Sequence, residues 1–330
     1  MDFGRLPSLE GVSFALPAID DRSRALLAAA ASARAAAPTS AASDPRAPAG
    51  ASAADPHAPA GSWLRAGAPA WARKDWLGRL YPRGTPDSAF LRTYAQRLGA
   101  IELNASYYRV PTSETLAAWA ADTPEGFHFC PKLHQSITHR RALEESIPEA
   151  QDFARRLLQL GPRLGPAFLQ LPPWLGSDAL PALDALLASL PAAFRVAVEM
   201  RHPTWFHRGA LRAPVAAVLE RRGAGAVVTD VAGRRDVCHG SITAPFLLVR
   251  FVGNGFEDRG LHPTDLPRAD AWLDRLVSLR AQGLEYACFF AHQPDDALAP
   301  ETLTHFVTRA RARGIEMPSL TLEPTQLGLF

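Results

Sequence analysis

"AIELNASYY", residues 100–108, sets Glu102 and Asn104 at alternate positions of a short apolar run. Strand side chains alternate between faces, so these two polar groups share one face, and Ile101 and Leu103 share the other. The bland reading is a half-exposed strand with its polar face in water. Runs of the same kind recur from Trp63 onward: "WLRAG" (63–67), "FHFCPK" (127–132), "PAFLQL" (166–171), "RVAVEM" (195–200), "AGAVVTD" (224–230), "FLLVRF" (246–251) and "YACFFAH" (286–292). Between them, apolar residues recur at helical spacing. Examples are Leu180, Leu183, Leu187 and Leu190; Leu211, Val215 and Val218; and Trp272, Leu276 and Leu279. Leu303, Phe306, Val307 and Ala310 make the last such helix, stopped by Gly314. Eight strands, each followed by a helix or a long connection, in about 270 residues have the length and rhythm of an α/β protein of (β/α)8 TIM-barrel type. An open doubly wound sheet is the alternative. No GxGxxG turn follows the first strand, and a count of eight favours closure.

The bulk composition narrows the function. With 330 residues, 47% of them hydrophobic and 21% charged, the chain has ample material for a soluble core. A net charge of +2 supplies no whole-molecule field for nucleic acid or membrane, so anion binding must come from a local cluster. No run approaches the ~20 apolar residues that span a bilayer, and the first residues lack a secretion signal; a cytoplasmic location is expected. Cys130, Cys238 and Cys288 are widely spaced, and two sit inside strand-like runs, which predicts buried thiols. Residues 1–61 read differently from the rest. "ALLAAAASARAAAPTSAASDPRAPAGASAADPHAPAG" (25–61) is dominated by Ala, Pro, Ser and Gly, too poor in large apolar residues to offset its ordering entropy. The expected organisation is a disordered N-terminal segment (1–61), a barrel (62–317) and a C-terminal tail (318–330).

In a barrel, reactive groups gather where strands end and the following loops begin. Here the strand ends carry Glu102 and Asn104, Lys132, Gln170, Glu199, Asp230, Arg250 and His292. A cap or turn explains each singly. Together they predict a polar pocket at one face, because buried charges must be paired or used. The loop "PKLHQSITHRR" adds His134, Ser136, Thr138, His139, Arg140 and Arg141. Lys132 and Arg250 at strand ends, with these hydroxyls, make a candidate phosphate or carboxylate site. Glu102 and Glu199 are candidate general bases, or the two carboxylates of a glycosidase. Tyr107, Tyr108, Trp174 and Trp205 are aromatics that either stack on a sugar or pack the rim. Glu199 and His202, joined by Glu102, Asp230, His139 or His292, are a weakly specific set for a divalent metal.

"IELNASYYRVPTSETLAAWAADTPEGFHFCPKLHQSITH", "LGPAFLQLPP", "VAVEMRHPTWF" and "LLVRF" resemble the YecE-like family, TIM-barrel proteins classed as a domain of unknown function. The resemblance covers residues 63–316. It implies a TIM barrel and no reaction. Glu102, Asn104, Tyr107, Lys132, Thr138, His139, Gln170, Glu199, Arg201, His202, Trp205 and Arg250 stand where the family's motifs place such residues. Two stretches depart from its pattern: "RAGAPAW" replaces a Gly-Thr-Ser-Gly-Trp type of opening strand, and "FFAHQPDDALAP" replaces an Asn-rich end to the eighth strand.

The expectation is an enzyme acting at the barrel mouth on a phosphate-bearing small molecule or nucleic acid. Glu102, Glu199 and His139 are the candidate catalytic residues. Asn104, Tyr107, Lys132, Thr138, Gln170, His202 and Arg250 are the candidate binding residues. A sugar or sugar-phosphate isomerase or hydrolase, and a noncatalytic binding protein, are the alternatives. The last five residues, "QLGLF", resemble the peptide by which bacterial replication and repair proteins bind the DNA polymerase sliding clamp. Gln326 suits a groove edge, while Leu327, Leu329 and Phe330 suit apolar pockets. Folding of these side chains back onto the barrel is the competing reading.

Overall fold

The computed structural model of the chain describes residues 6, 8–36, 62–139, 142–256, 258–320 and 322. Eight strands form at the positions the sequence indicates. They are β1 (Leu64–Gly67), β2 (Ala100–Leu103), β3 (His128–Pro131), β4 (Ala167–Gln170), β5 (Val196–Glu199), β6 (Gly225–Asp230), β7 (Phe246–Val252) and β8 (Tyr286–His292). Every residue in them is buried, which accounts for their near-continuous apolar composition.

The ladder is parallel throughout. A six-stranded sheet runs in the order β1-β8-β7-β6-β5-β4, and β2 pairs with β3 in a two-stranded sheet of its own. A closed ring of eight was expected, whereas the continuous ladder carries six. Pro131 contributes to the break between β3 and β4. The even-numbered residues of β3 face β2, with His128 and Lys132 donating to the Gly99 and Leu103 carbonyls. The odd-numbered ones face β4, where Phe129 O accepts from Gly165 N and Leu133 N donates to Phe168 O. Pro131 has no N–H to add on that side, so single bridges, Phe129 to Leu164 and Lys132 to Phe168, stand in for a ladder. On the other flank, Glu102 N donates to Ala68 O at 3.1 Å, just beyond β1. A Cβ on Gly67 would lie 2.0 Å from Ala100 O, so only glycine allows β1 and β2 this approach.

The longer helices are α1 (Asp21–Ala36), α2 (Phe90–Ala95), α3 (Ser113–Asp122), α4 (Ile147–Leu157), α5 (Leu180–Ser189), α6 (Ala213–Arg221), α7 (Asp265–Gln282) and α8 (Ala299–Ala312). In α7 the apolar stripe Ala269, Trp272, Leu273, Leu276 and Leu279 is buried, and Gly283 ends the helix with φ at 125°. Two apolar layers result. One lies between strands and helices. The other, on the opposite face of the strands, holds Ala100, Cys130, Phe168, Ala197, Val227, Leu248 and Cys288.

The N-terminal segment departs from expectation. Residues 37–61 lie outside the described residues, but residues 8–36 are part of the fold. Asp20 accepts from Ser23 N and Ser241 Oγ, both at 2.7 Å, and Ser23 Oγ accepts from Ile242 N at 2.7 Å. Leu27 is fully buried in the core. One large apolar side chain with a buried cap docks an alanine-rich helix whose composition alone promises little burial. At the other end, Met317 and Leu320 are also buried, so the fold continues past residue 317. The candidate peptide 326–330, together with Arg140 and Arg141, lies outside the described residues.

Candidate functional site

Alternation along the strands builds the site. Two residues beyond each member of the second apolar layer, on the same face, stand Glu102 after Ala100, Lys132 after Cys130, Gln170 after Phe168 and Glu199 after Ala197. Thr229, Arg250 and Phe290 follow Val227, Leu248 and Cys288 in the same way. The register sets Gln170 beside Glu199, and Arg250 beside both Thr229 and Phe290. Polar side chains thus form a level of their own at the C-terminal ends of the strands.

Arg250 is its centre. Its Nε and Nη2 donate to Glu102 Oε2 and Oε1, both at 2.9 Å, and its Nη1 donates to Glu199 Oε2 at 2.8 Å. All three residues are buried. Removing charges from water costs several kcal/mol per ion unless geometry compensates, and this bidentate pair with a third charged contact is the compensating kind. Burial by itself would raise the Glu102 pKa, but the Arg250 charge and the His292 contact outweigh it and hold the carboxyl well below its ordinary range. His292 Nε2 lies 3.0 Å from Glu102 Oε2, and Asn104 Nδ2 donates to Glu102 Oε1 at 2.9 Å.

From Glu199 the network continues outward. Gln170 Nε2 donates to Glu199 Oε2 at 2.9 Å, and its Oε1 accepts from Lys132 Nζ at 2.7 Å. Lys132 Nζ also sits 4.1 Å from the centre of the Tyr107 ring. Burial first, then the Arg250 and Arg201 charges, press the Lys132 pKa down to about 8, although Glu199 and Glu102 pull it back. Beyond Tyr107, His139 lies 3.2 Å from the Tyr107 hydroxyl and 2.7 Å from Thr138 Oγ1. Burial, Lys132 and Arg201 lower the His139 pKa too, which favours the neutral imidazole.

Of the candidate residues, Glu102, Asn104, Lys132, Gln170, Glu199 and Arg250 join this network directly, and Tyr107, Thr138 and His139 extend it to the rim. His202 does not. Its Nδ1 accepts from Thr204 N at 3.3 Å and caps the turn Pro203–Trp205, beneath which Trp205 is buried with Nε1 donating to Leu175 O. Asp230 faces the helices instead, bonded to Trp272 Nε1 at 2.8 Å and paired with Arg235 and Arg268. The neighbouring Thr229 is the inner-face residue that reading the strand end overlooked. Counting two positions from Val227 would have found it. Arg250 is bound to two carboxylates, Glu102 and Glu199. Among the described residues, no three His, Cys, Asp or Glu side chains gather as a metal-ligand set. The three cysteines are free and buried, as expected.

Two buried polar atoms in this region, Asn104 Oδ1 and Thr229 Oγ1, have no hydrogen-bond partner among the described residues. Unsatisfied groups of this kind in a folded protein mark places where water or a ligand completes the structure. A cavity of about 610 Å³ has Asn104, His292 and Gln293 in its wall.

These features define an α/β protein whose parallel strands deliver a buried ionic network to their C-terminal edge. Residues 65–326 match the family described as a protein of unknown function, DUF72, and the chain belongs to that family. The UPF0759 protein YecE of Escherichia coli is 31% identical over 284 residues, spanning 80% of this chain and 98% of its own length. The UPF0759 protein YunF of Bacillus subtilis is 26% identical over 151 residues, 42% of this chain and 51% of its own. The crystal structure of a DUF72 protein from Enterococcus faecalis covers 80% of this chain and 100% of its own, with a TM-score of 0.61 at 18% identity. One from Thermotoga maritima covers 75% and 99%, with a TM-score of 0.60 at 21% identity. No helix among the described residues is long and apolar enough to cross a membrane.

Proposed function

We propose that the chain is an enzyme that transfers protons on a phosphate-bearing substrate at the C-terminal mouth of a closed (β/α)8 barrel, in the cytoplasm. Closure is supported by the isolated bridges between the β3 and β4 sides and by the Glu102 N–Ala68 O hydrogen bond between the β1 and β2 sides. The observation that carries the function is the surroundings of Lys132. Its ammonium is buried at a strand end where Lys132, Arg250 and Arg201 meet two carboxylates, Glu102 and Glu199, and both carboxylates are bound to Arg250. An incoming anion gains charge-assisted hydrogen bonds from this cluster of cations. In this reading, Lys132 and Arg201 hold the phosphate. Neutral His139 at the rim accepts the proton, oriented by Thr138 and Tyr107. Glu102 positions rather than reacts, since a carboxyl held below its usual range is a poor general acid, and Glu199 positions through its bonds to Arg250 and Gln170. That feature of Glu102 disfavours the glycosidase alternative.

The test is calorimetric titration with inorganic phosphate across pH. Lys132 carries its charge below about pH 8 and loses it above, so affinity falls as pH rises through that value. Replacing Lys132→Met weakens binding about tenfold or more and removes this pH dependence. Equal phosphate affinity in the variant at pH 7 sinks the reading. A second reading concerns recruitment. "QLGLF" at 326–330 supports docking on a sliding clamp, which would bring the mouth to nucleic acid in DNA repair.

A further inference from the structure

The second apolar layer hides two thiols. Cys130 on β3 and Cys288 on β8 are 158 residues apart in the chain and fully buried, and their Sγ atoms lie 3.9 Å apart. The third cysteine, Cys238, belongs to the other layer, between strands and helices. A glycine makes the room for the pair. A Cβ on Gly165 would lie 2.6 Å from Cys130 Sγ, so a larger residue there would drive the thiol from its place. Cys130 also stands on a weakly held strand. β3 meets β4 only through isolated bridges, whereas β8 pairs with β7 over all seven of its residues. A disulfide sets its sulfurs about 2.0 Å apart, so closing this gap takes a movement of about 2 Å, and β3 is the strand free to make it.

The surroundings of Cys288 differ from those of an inert core thiol. The Tyr286 hydroxyl lies 3.0 Å from its Sγ, and His128 Nδ1 lies 2.7 Å from the same hydroxyl. His128 keeps 7% of its surface in solvent, so this chain of contacts runs from the N-terminal edge of the strands to the thiol. Arg65 and Arg195 sit over the Tyr286 ring, at 6.0 and 5.6 Å. Burial alone would raise the Cys288 pKa. The contacts with Cys130 and Tyr286, and the charges of Arg65 and Arg195, outweigh it and draw the thiol below its ordinary value. Cys130 shifts the other way, raised by burial and by Cys288. One sulfur of the pair thus favours the thiolate, and its neighbour keeps its proton.

We propose that Cys130 and Cys288 form a reversible disulfide on reaction with a hydroperoxide, tying the loosely held strand β3 to the firmly held β8. The Cys288 sulfur attacks the peroxide and the O–O bond breaks. One oxygen stays on sulfur as a sulfenic acid, and the other leaves with the thiol proton as an alcohol, or as water when the oxidant is hydrogen peroxide. The Cys130 sulfur then attacks the Cys288 sulfur. The S–S bond forms, the S–O bond breaks, and the departing hydroxyl takes the Cys130 proton to leave as water. Two thiols are oxidised to one disulfide, and the peroxide is reduced by the same two electrons. Lys132 lies two residues beyond Cys130 on the same strand face, so the tie stiffens the strand that carries this lysine to the mouth. The inference stands whether or not the mouth binds an anion.

The experiment is treatment of the reduced, folded full chain with hydrogen peroxide, followed by intact mass, thiol counting after denaturation and peptide mapping. The mass falls by about 2 Da, two of the three thiols disappear, a peptide linked through Cys130 and Cys288 forms, and dithiothreitol restores all three thiols. Cys238→Ala leaves the link intact, whereas in Cys130→Ala the Cys288 sulfenic acid persists and is captured by dimedone. Hydrogen exchange in β3 slows about tenfold or more in the oxidised protein. Failure of the linked peptide to form in folded wild type, or a link through Cys238 in its place, overturns the disulfide. A Cys130–Cys288 link that leaves β3 exchange unchanged overturns its action on the strand.

Discussion

Arg250 is a guanidinium with both sides committed to carboxylates inside the protein, and its partners carry the cost of any change. Glu102→Gln leaves a buried arginine short of one charge, and the expected loss is ~3–5 kcal/mol of stability, read from the urea midpoint. Adding Arg250→Met to that variant removes the stranded charge, so the pair should cost less than the sum of its parts. Strictly additive losses would show that the two groups do not act together. Because the Glu102 carboxyl titrates below its ordinary range, its contribution is present above the unfolded value of about 4.3 and disappears as pH falls through the lower folded one. The identity of these residues was legible from alternation: Glu102 and Asn104 lie two apart, and the strand ends share one polar level. Their roles were not. Whether Arg250 meets a substrate or two glutamates depends on β2, β5 and β7 arriving at one place, and no local spacing encodes that.

Strand length and proline placement decide how firmly each element is held. β7 and β8 are seven residues long and pair along their whole length, whereas β2 and β3 are four residues long, and β3 meets β4 only through isolated bridges. Hydrogen exchange should therefore be slowest in β7 and β8, with β2 and β3 about tenfold faster or more. Uniform protection across the eight strands would mean that the seams are as continuous as the main ladder. The elements themselves were legible because buried parallel strands are apolar runs and the helices between them carry period-3.6 stripes. For α1 the alanine-rich composition favours a helix but does not show its docking, since alanine offers no contrast between faces and the adjacent Leu26 and Leu27 give no periodicity.

For the molecule as a whole, a net charge of +2 provides little non-specific attraction to nucleic acid. Any action on DNA must depend on being brought there. Removal of residues 326–330 should abolish calorimetric binding to a bacterial sliding clamp while leaving phosphate binding unchanged. Equal clamp affinity with and without those residues would place that recognition elsewhere, and no clamp binding by the full chain would remove the reason for invoking DNA.

The amino-acid sequence by itself determined the eight strands, the helical stripes, the burial of the cysteines and the set of polar residues at the strand ends, because each depends on the pattern of neighbours along one chain. Tertiary structure decided the rest. It turned Asp230 outward and Thr229 inward, bound Arg250 between two carboxylates, capped a turn with His202 and set Leu9 in the cavity wall. These outcomes depend on distances between residues as far apart as Glu102 and His292, which only the packing of the strands brings within 3.0 Å.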